Sequence, residues 1–366
     1  MSYKVNENIT VSILIEDVEL VLEAGNALHT LHIVSGSQLT LPVLCVSFSD
    51  TLRVVPKMNL TDGSKITVTI SGTKTEIRYF RVHRWSRSPV GDGFSYNVEA
   101  YWDAPKYWAG TAIASMRGSS KVVIEQIASM SSIEVWSKNT ETADTMLWMP
   151  CNKSYGLFCR EIARHGYATE KSHMVLGVDS SGKLRYVDVN ANENPKFSVG
   201  YTSSNDVGTF LIISDFQPSN SSGLNNQIAG YRHERYVQNA AGASVSLESA
   251  LQLDSDSKYP MVNSKVRDIQ ERGTVSFSPI NFGNVHEKYE RARYQNARYN
   301  LLNSVKGEFL FAFQTGIEMA DNFFYVSPSE LENKDYDGEF TATTKVIFIA
   351  GSDYQEKVVA VKNGLE

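Results

Sequence analysis

The sequence predicts an α+β protein that is mostly β. Three observations predict this class: apolar and polar residues alternate along the first hundred residues, helical spacing appears after Pro105, and strand patterns return near the end of the chain. The 366 residues, with 42% hydrophobic and 21% charged side chains, are typical of a folded protein of two or three packed units.

Composition argues against several classes of protein. The formal charge of −6, from 35 Lys plus Arg and 41 Asp plus Glu, gives no general attraction to nucleic acid or to anionic membranes. Cys45, Cys151 and Cys159 lack CxxC spacing, so we expect neither a disulfide framework nor a zinc ribbon. The sequence shows no signal peptide and no run of ~18 apolar residues. We therefore expect synthesis in a cytoplasm without export by a standard route.

The first element is a block of strands from Thr10 to about Trp102. In SKITVTISG (64–72) and FSYNVEAYW (94–102), every second residue is apolar, which is typical of a sheet with one buried face. Turn residues at 15–18, 62–63 and 91–93 separate the runs. We predict six or seven strands that close into a small barrel.

Two helices and a hairpin follow. GSSKVVIEQIASM (118–130) offers Ser119 or Ser120 as an N-cap, with Val123, Ile127 and Met130 on one face. A second helix begins after Ser154 and ends at Gly166. The runs HMVLGVD and KLRYVDV, joined by residues 179–182, predict the hairpin.

The rest of the chain predicts a sheet interrupted by irregular segments. Residues 216–227 are polar and read as a wide connection within a sheet, and residues 239–285 show little periodicity. A helix is predicted over 286–305, with Ala292, Gln295, Tyr299 and Leu302 on one face. EFLFAFQTG, TKVIFIAG and KVVAVKN are predicted strands, the last two joined by a turn at 351–353.

The stretch FCREIARHGYA (158–168) holds a thiol, two guanidiniums, a carboxylate and an imidazole. On a helix, Cys159 and His165 lie ~120° apart around the axis and ~9 Å apart along it, so they cannot form a nucleophile and base pair. We predict a core position for Cys159 and a charged, solvent-facing side formed by Arg160, Glu161 and Arg164.

Other candidate sites are incomplete. On a strand, His29 and His32 would point to opposite faces, which disfavours a shared metal ion. Asp335, Asp337 and Gly338 lack the further ligands of a calcium loop and predict a polar turn. There is no GxSxG, GxGxxG or Walker motif, and the 41 acidic residues single out no pair. The basic and aromatic run at 286–305 fits a solvated helix better than a single-strand binder. We predict no catalytic residue, cofactor or metal ligand.

Four stretches together carry a resemblance. They are the strand block that closes with FSYNVEAYWD, the GSSKVVIEQIASM helix, the segment 148–189 and the C-terminal order of helix, strand, YDGEFTATTKVIFI and a last strand ending VKNG. In this order the chain resembles the baseplate hub proteins of contractile-tailed bacteriophages and the related N-terminal half of type VI secretion spike proteins. The resemblance leaves 239–285 unplaced.

The resemblance implies a homotrimer whose subunits each carry two tail-tube-like antiparallel β-barrels. Residues 1–105 would form the first barrel, and 206–238 with 303–350 the second. Residues 106–205 would form a helix and hairpin body, completed by an irregular insertion and helix at 239–302, and 351–366 a C-terminal strand or tail.

The implied function is structural, without catalysis. The trimer would join the sixfold tail tube to the threefold central spike and line the channel through which genomic DNA passes without specific binding. Implied partners are the spike, the tail tube protein, the tape measure protein and other baseplate proteins, in a virion baseplate assembled in the host cytoplasm. Alternatives are a tail-associated cell-wall hydrolase and a carbohydrate-binding tail-tip protein. Arg160, Glu161 and Arg164 are expected at a subunit interface.

Overall fold

The structure is a computed structural model. It describes residues 3–4, 9–20, 27–191, 195, 197–201, 209–219, 234–238, 244–247, 275–279, 286, 288–292, 295, 299, 302–303, 305–328, 334 and 336–362.

The N-terminal block is made of strands joined by tight turns, with one 3-10 helix at Val55–Met58. The strands are β1 (Tyr3–Lys4), β2 (Thr10–Ile15), β3 (Val18–Glu19), β4 (Ala27–Gly36), β5 (Val43–Asp50), β6 (Lys65–Ser71), β7 (Thr75–Val90) and β8 (Gly93–Trp102). Burial alternates along most of them as the sequence predicts. The β2 to β3 turn uses positive φ angles at Glu16 and Asp17.

The next segment contains the predicted helices and hairpin. Its elements are α1 (Pro105–Ala109), β9 (Met116–Gly118), α2 (Ser120–Met130), β10 (Glu134–Val135), β11 (Met146–Trp148), α3 (Tyr155–His165), β12 (Met174–Val178) and β13 (Lys183–Asp188). Ser119 caps α2 and Ser154 caps α3, as predicted. Met130 is 39% exposed and does not share the buried face of α2. Strands β12 and β13 pair antiparallel, which confirms the hairpin.

The C-terminal part returns to strands. They are β14 (Phe197–Gly200), β15 (Thr209–Ile212), β16 (Asp215–Ser219), β17 (Glu234–Gln238), β18 (Ser244–Leu247), β19 (Val275–Pro279), β20 (Val305–Phe311), β21 (Asn322–Val326), β22 (Gly338–Ala350) and β23 (Asp353–Lys362), with α4 (Tyr289–Ala292) before β20. Strands β18, β17 and β19 form a small sheet. Of the predicted helical face at 286–305, Ala292, Gln295 and Leu302 are buried and Tyr299 is exposed. Residues 216–219 of the predicted connection belong to strand β16 and pair with β20, so that part of the prediction is wrong, whereas 220–227 and Asp335 lie outside the described residues.

The strands join into one 15-stranded sheet that runs through both parts of the chain. Its main path is antiparallel throughout and follows the order β2, β6, β7, β8, β5, β4, β22, β23, β20, β16. Strand β22 also pairs with β21, which continues through β14 to β15. The step from β4 to β22 joins the N-terminal block to the C-terminal strands, with Thr30 opposite Ala350 and Gly36 opposite Thr344.

The mostly β, α+β class is confirmed, whereas barrel closure stays a prediction. Among the described strands, the pairings form an open path and not a closed ring. Pro218 lies in β16, at the end of the main path, where the missing N–H of proline is tolerated.

The two largest apolar cores of the described residues lie under this sheet. The larger one combines the N-terminal strands with α2, α3 and the hairpin, and it includes Ile347, Ile349 and Tyr354 from the C-terminal strands. The second is rich in phenylalanine and lies between β20, β21, β22 and β23. Because the large core draws on all parts of the chain, the helical body and the sheet fold against each other. No helix within the described residues is long and apolar enough to span a bilayer.

Candidate functional site

Helix α3 carries the residues that the sequence singles out. Phe158, Cys159 and Ile162 are fully buried, which confirms the predicted core position of the thiol. Burial raises the pKa of Cys159 to about 12, and a hydrogen bond with Tyr107 offsets this only in part. The thiol therefore stays protonated at neutral pH and is not a nucleophile.

The imidazole of His165 has different neighbours from the thiol. Its ring packs edge-on against Tyr289, with the ring centroids 4.7 Å apart, whereas Cys159 contacts Tyr107. The predicted separation of the two groups on α3 is consistent with these contacts.

Arg160, Glu161 and Arg164 lie on the accessible side of α3. Arg160 Nη2 donates a hydrogen bond to the carbonyl oxygen of Gln38 at 2.7 Å. Glu161 forms an ion pair with Lys153, and Arg164 is exposed. The charged, accessible side is confirmed, and its role as a subunit interface stays a prediction.

A pocket of about 330 Å³ opens beside this side of α3. We call it the α3 pocket. Its described lining comes from α3, from the turn after β4, from β12 and its preceding residue, and from two residues that precede β20 in the sequence: Ser37, Gln38, Arg160, Ala163, Arg164, His173, Met174, Val175, Leu176, Gln295 and Tyr299. Within this lining, Arg160 and Arg164 carry a permanent positive charge.

The face of the main sheet that points away from the cores is a second accessible surface, which we call the open face. Its residues alternate with the buried ones and are exposed or half-buried: Thr67, Ile77, Tyr79, Glu99, Tyr101, Cys45, His32, Val34, Val346, Phe348, Gln355, Lys357, Glu308 and Leu310. The charged groups named in this list are paired. Arg84 Nε lies 2.7 Å from Glu99 Oε2, and Lys357 Nζ lies 3.1 Å from Glu308 Oε2.

One row of the open face brings an imidazole, a thiol and a carboxylate together. His32, Cys45 and Glu99 are direct partners across β4, β5 and β8, beside a depression of about 540 Å³. Burial and the neighbouring Glu99 raise the pKa of Cys45, and Arg84 opposes this effect. Because the carboxylate is next to the thiol and already paired with Arg84, the row does not activate a nucleophile.

The expected separation of His29 and His32 onto opposite faces does not hold. A β-bulge between Leu28 and Thr30 adds one residue to β4, so His29 is exposed and His32 lies on the open face, and neither points into the core. Burial lowers the pKa of His32. The described residues contain no group of three or more His, Cys, Asp or Glu side chains that could hold a metal ion. Asp337 accepts a hydrogen bond from the Ser327 amide, in a turn before β22 as predicted.

A buried ionic cluster connects the C-terminal strands to the hairpin. Lys345 Nζ lies 3.0 Å from Glu318 Oε1 and 3.4 Å from Glu356 Oε2. The amide and hydroxyl of Ser180 donate to Glu318 at 2.9 and 2.6 Å, and those of Thr315 donate to Glu356 at 2.9 and 2.7 Å. Each carboxylate is therefore paired and hydrogen-bonded, as a buried charge requires.

The cluster extends to the N-terminal block. Arg185 pairs with Asp179 at 2.8 Å and Asp321 at 2.9 Å. Arg78, a buried arginine on β7, donates from Nε to the carbonyl oxygen of Ser180 at 2.8 Å. Charged side chains from β7, the hairpin and the C-terminal strands thus meet in one place.

The charge states in this cluster follow from its geometry. Burial on its own would raise the pKa of Glu318, but Lys345, Ser180 and Arg185 hold it at about 2. Burial and the nearby Glu318 raise the pKa of Asp179. Burial would lower the pKa of Lys345, but Glu318 and Glu356 raise it above its ordinary value. The pair of Lys345 and Glu318 is therefore charged at neutral pH and acts as a structural joint.

One residue of this cluster, Lys345, has a signal in the sequence. In TKVIFIAG, Lys345 falls in the same alternation as Ile347 and Ile349, which are buried, so a lysine occupies a core position of a strand. Glu318 lies in a segment without periodicity and gives no such signal.

Comparisons with known proteins place the fold. No family model matches the chain, and no curated protein matches it. The 43 kDa tail protein of prophage MuSo2 from Shewanella oneidensis matches with a TM-score of 0.62 at 9% identity, covering 97% of this chain and 98% of that chain. The tail protein from Neisseria meningitidis MC58 matches with a TM-score of 0.60 at 8% identity, covering 98% of both chains.

The chain has the fold of a phage tail protein. This tail-protein fold extends over nearly the whole length of both solved chains. The predicted resemblance to phage tail proteins is confirmed at the level of the fold. A component of the E. coli type VI secretion system also matches, with a TM-score of 0.47 at 8% identity over 96% of this chain and 76% of that chain, which is too low to show a common fold.

Proposed function

We propose that the chain is a structural baseplate hub of a phage tail. In this proposal, three copies join the sixfold tail tube to the threefold central spike and line the channel through which genomic DNA passes. The tail-protein fold supports a place in a tail. The trimer and the symmetry change follow from the sequence resemblance, because three chains with two tube-like units each would present six units to the tube.

The observation that carries the proposal is the antiparallel pairing of β4 with β22. It joins the N-terminal block to the C-terminal strands edge to edge, so that one chain already contains two blocks of strands side by side in one sheet. The same kind of edge pairing between copies would close a ring and satisfy the ladder groups of the free edges. We propose that the open face lines the inside of that ring.

The charge distribution of the open face suits a DNA channel. Arg84 is neutralised by Glu99, and Lys357 by Glu308. Phosphates moving along such a surface would meet no unpaired cluster of cations, so DNA would pass without being retained. The overall charge of −6 has the same effect.

We propose the following domain layout. Residues 1–105 form the first tube-like unit, and 206–238 with 303–350 form the second. We add Phe197–Gly200 and Asp353–Lys362 to the second unit, because these strands pair with β21 and with β20 and β22. The spike, the tail tube protein, the tape measure protein and other baseplate proteins remain the proposed partners, in a virion baseplate assembled in the host cytoplasm. The accessible side of α3, with Arg160, Glu161 and Arg164, is proposed to contact another chain.

Electron micrographs of the purified protein test the proposal together with its mass in solution from light scattering. We expect threefold rings with a central hole and a mass of three chains. A protein that stays monomeric at every concentration and does not bind its cognate spike would contradict the hub.

A ring cluster favours carbohydrate binding as a second candidate function. His83, Tyr101 and the 38% exposed Trp108 lie with ring centroids 4.9 to 6.2 Å apart near one end of the open face. Exposed aromatic rings can stack on sugars. Calorimetric titration with host surface glycans tests carbohydrate binding at this cluster. The expected result is that the parent protein binds a glycan and that Trp108→Ala abolishes the binding. No arrangement among the described residues favours the cell-wall hydrolase. If the purified protein cleared a peptidoglycan suspension, the hydrolase would be favoured instead.

A further inference from the structure

The α3 pocket is lined on one side by two unneutralised cations. Arg160 and Arg164 are one turn apart on α3, and neither forms an ion pair with a carboxylate of a described residue. Arg81, Arg84 and Arg185, in contrast, lie 2.7 to 2.8 Å from the oxygens of Asp103, Glu99 and Asp179, respectively.

The placement of Arg160 and Arg164 leaves two positive charges close together. Like charges four residues apart on a helix repel each other, by a few tenths of a kcal/mol. The position of Arg164 in the last turn of α3 offsets part of this cost through the helix dipole. No acidic side chain is present in the described lining to neutralise them. An anion in the pocket would remove the repulsion and satisfy the guanidinium donors.

The pocket is built in advance around these arginines. Arg160 holds the carbonyl oxygen of Gln38, and Gln38 Nε2 donates to the Tyr299 hydroxyl at 2.8 Å. Tyr299 in turn stacks on His173, with the ring centroids 5.8 Å apart and the planes at 17°. The tyrosine hydroxyl still has its own hydrogen to donate into the pocket. Because these groups are already ordered, little free energy would be needed to order them when a ligand binds.

Part of the pocket wall is apolar and sets the shape of the ligand. Its lining residues are Met174, Val175 and Leu176 of β12 and Ala163 of α3. A ligand that fits has an anionic head for the arginines and a short aliphatic stem for this wall. A glutamate side chain has that form, whereas a nucleic-acid backbone does not and is also repelled by the net charge of −6.

We propose that the α3 pocket binds a carboxylate carried on a short aliphatic stem, supplied by an acidic segment of a neighbouring protein chain. The proposal rests on the proposed function, since it makes the charged side of α3 a docking point within an assembly. It adds a ligand class and a binding site to the interface expected there.

Binding of a fluorescein-labelled hexaglutamate peptide, followed by fluorescence anisotropy, tests this proposal. The protein is diluted until light scattering shows single copies, and low ionic strength is used so that attraction is least screened. We expect hexaglutamate to bind and hexaglutamine not to bind. Arg164→Gln should weaken binding about tenfold, and the double change of Arg160 and Arg164 to glutamine further.

Arg117→Gln is the matched control, because Arg117 is exposed on β9 and lies outside the pocket. It removes the same charge and should change binding by less than about twofold. Equal weakening by Arg117→Gln would mean diffuse attraction and would overturn the site, as would no binding of the peptide. If glutarate bound but the peptide did not, the pocket would be a small-molecule site, and the proposal that a neighbouring protein chain supplies the carboxylate would be wrong. If the protein forms threefold rings but its diluted single copies do not bind the peptide, this proposal is wrong and the hub is unaffected. If the protein stays monomeric at every concentration and binds the peptide, the hub is wrong and this proposal is unaffected.

Discussion

The lysine at position 345 is the side chain on which the buried ionic cluster depends. It is 2% exposed, and it is the cation that faces both Glu318 and Glu356. Buried charges are tolerated when they are paired, and the loss of one partner leaves the other uncompensated. Sequence alternation places Lys345 on the buried face, but its partners come from distant segments that no local pattern connects. The core position of Cys159, in contrast, follows from helical spacing alone.

Replacing Lys345 with methionine tests this dependence. The change keeps most of the length of the side chain but leaves two buried carboxylates without their cation, so we expect a loss of about 3 to 5 kcal/mol in the free energy of unfolding. Urea titration followed by circular dichroism measures it. Lys357→Met is the matched control. Lys357 pairs with Glu308 on the half-exposed side of β23, and its loss should cost less than about 1 kcal/mol. Similar losses for both variants would show that burial of the pair is not the cause.

The pKa of Glu318 predicts how stability depends on pH. Its folded value of about 2 lies below the ordinary value of 4.5, so the ionised carboxylate contributes stability above about pH 4.5. That contribution is lost as pH falls toward 2. Glu318→Gln should therefore be less stable than the parent at pH 6, and the difference should shrink between pH 4.5 and pH 2. Unfolding free energies across this range give the result, with exposed Glu134→Gln as the control. A difference that stays constant with pH would contradict the charged pair.

At the scale of single elements, the β12 to β13 hairpin shows which local features the sequence predicts well. The turn residues at 179–182 and the two apolar runs identify it, and the structure agrees. The β-bulge in β4 is different, since nothing in the sequence of that strand marks the extra residue, and the interpretation of His29 and His32 changes as a result. A turn can be predicted because its own residues favour it, whereas a bulge depends on how the strand pairs with its partner.

The hairpin turn provides an element-scale prediction through Gly182. Its φ of 84° disfavours any other residue, and an added Cβ would lie 1.9 Å from the Trp102 ring. Gly63 has the same φ of 84° and open space around it. We expect Gly63→Ala to cost about 1 kcal/mol from backbone strain and Gly182→Ala at least about 3 kcal/mol, because Trp102 must also move. Thermal and urea unfolding of the two variants compare these costs. Equal costs would mean that Trp102 yields freely.

At the scale of the whole molecule, β22 links parts that the sequence presents as separate. It pairs with β4 of the N-terminal block and with β21 and β23 of the C-terminal strands, and Ile347 and Ile349 belong to the large core. The alternation in each strand was sufficient to predict the mostly β class. The pairing of β4 with β22 was not predictable, because it joins residues at opposite ends of the chain and no local pattern specifies such a partner.

This linkage predicts one cooperative unfolding transition. All five tryptophans lie between residues 85 and 148, so tryptophan fluorescence reports on the N-terminal block and the helical body. Far-UV circular dichroism reports on every strand. We expect the two signals to change at the same urea concentration, and Lys345→Met to shift both midpoints together. Two separate transitions would show that the C-terminal strands fold independently of the N-terminal block.

The pairing of β4 with β22 also constrains how the protein is made. Thr30 is translated long before its partner Ala350, because the two residues are far apart in the sequence. During synthesis the edge of β4 that pairs with β22 therefore stays without its partner while the residues between them are translated. Unpaired edges of this kind are where nascent chains associate with one another. Neighbouring nascent copies on one messenger RNA would display this edge together, so translation spacing, and not only native stability, is expected to set the yield of folded protein.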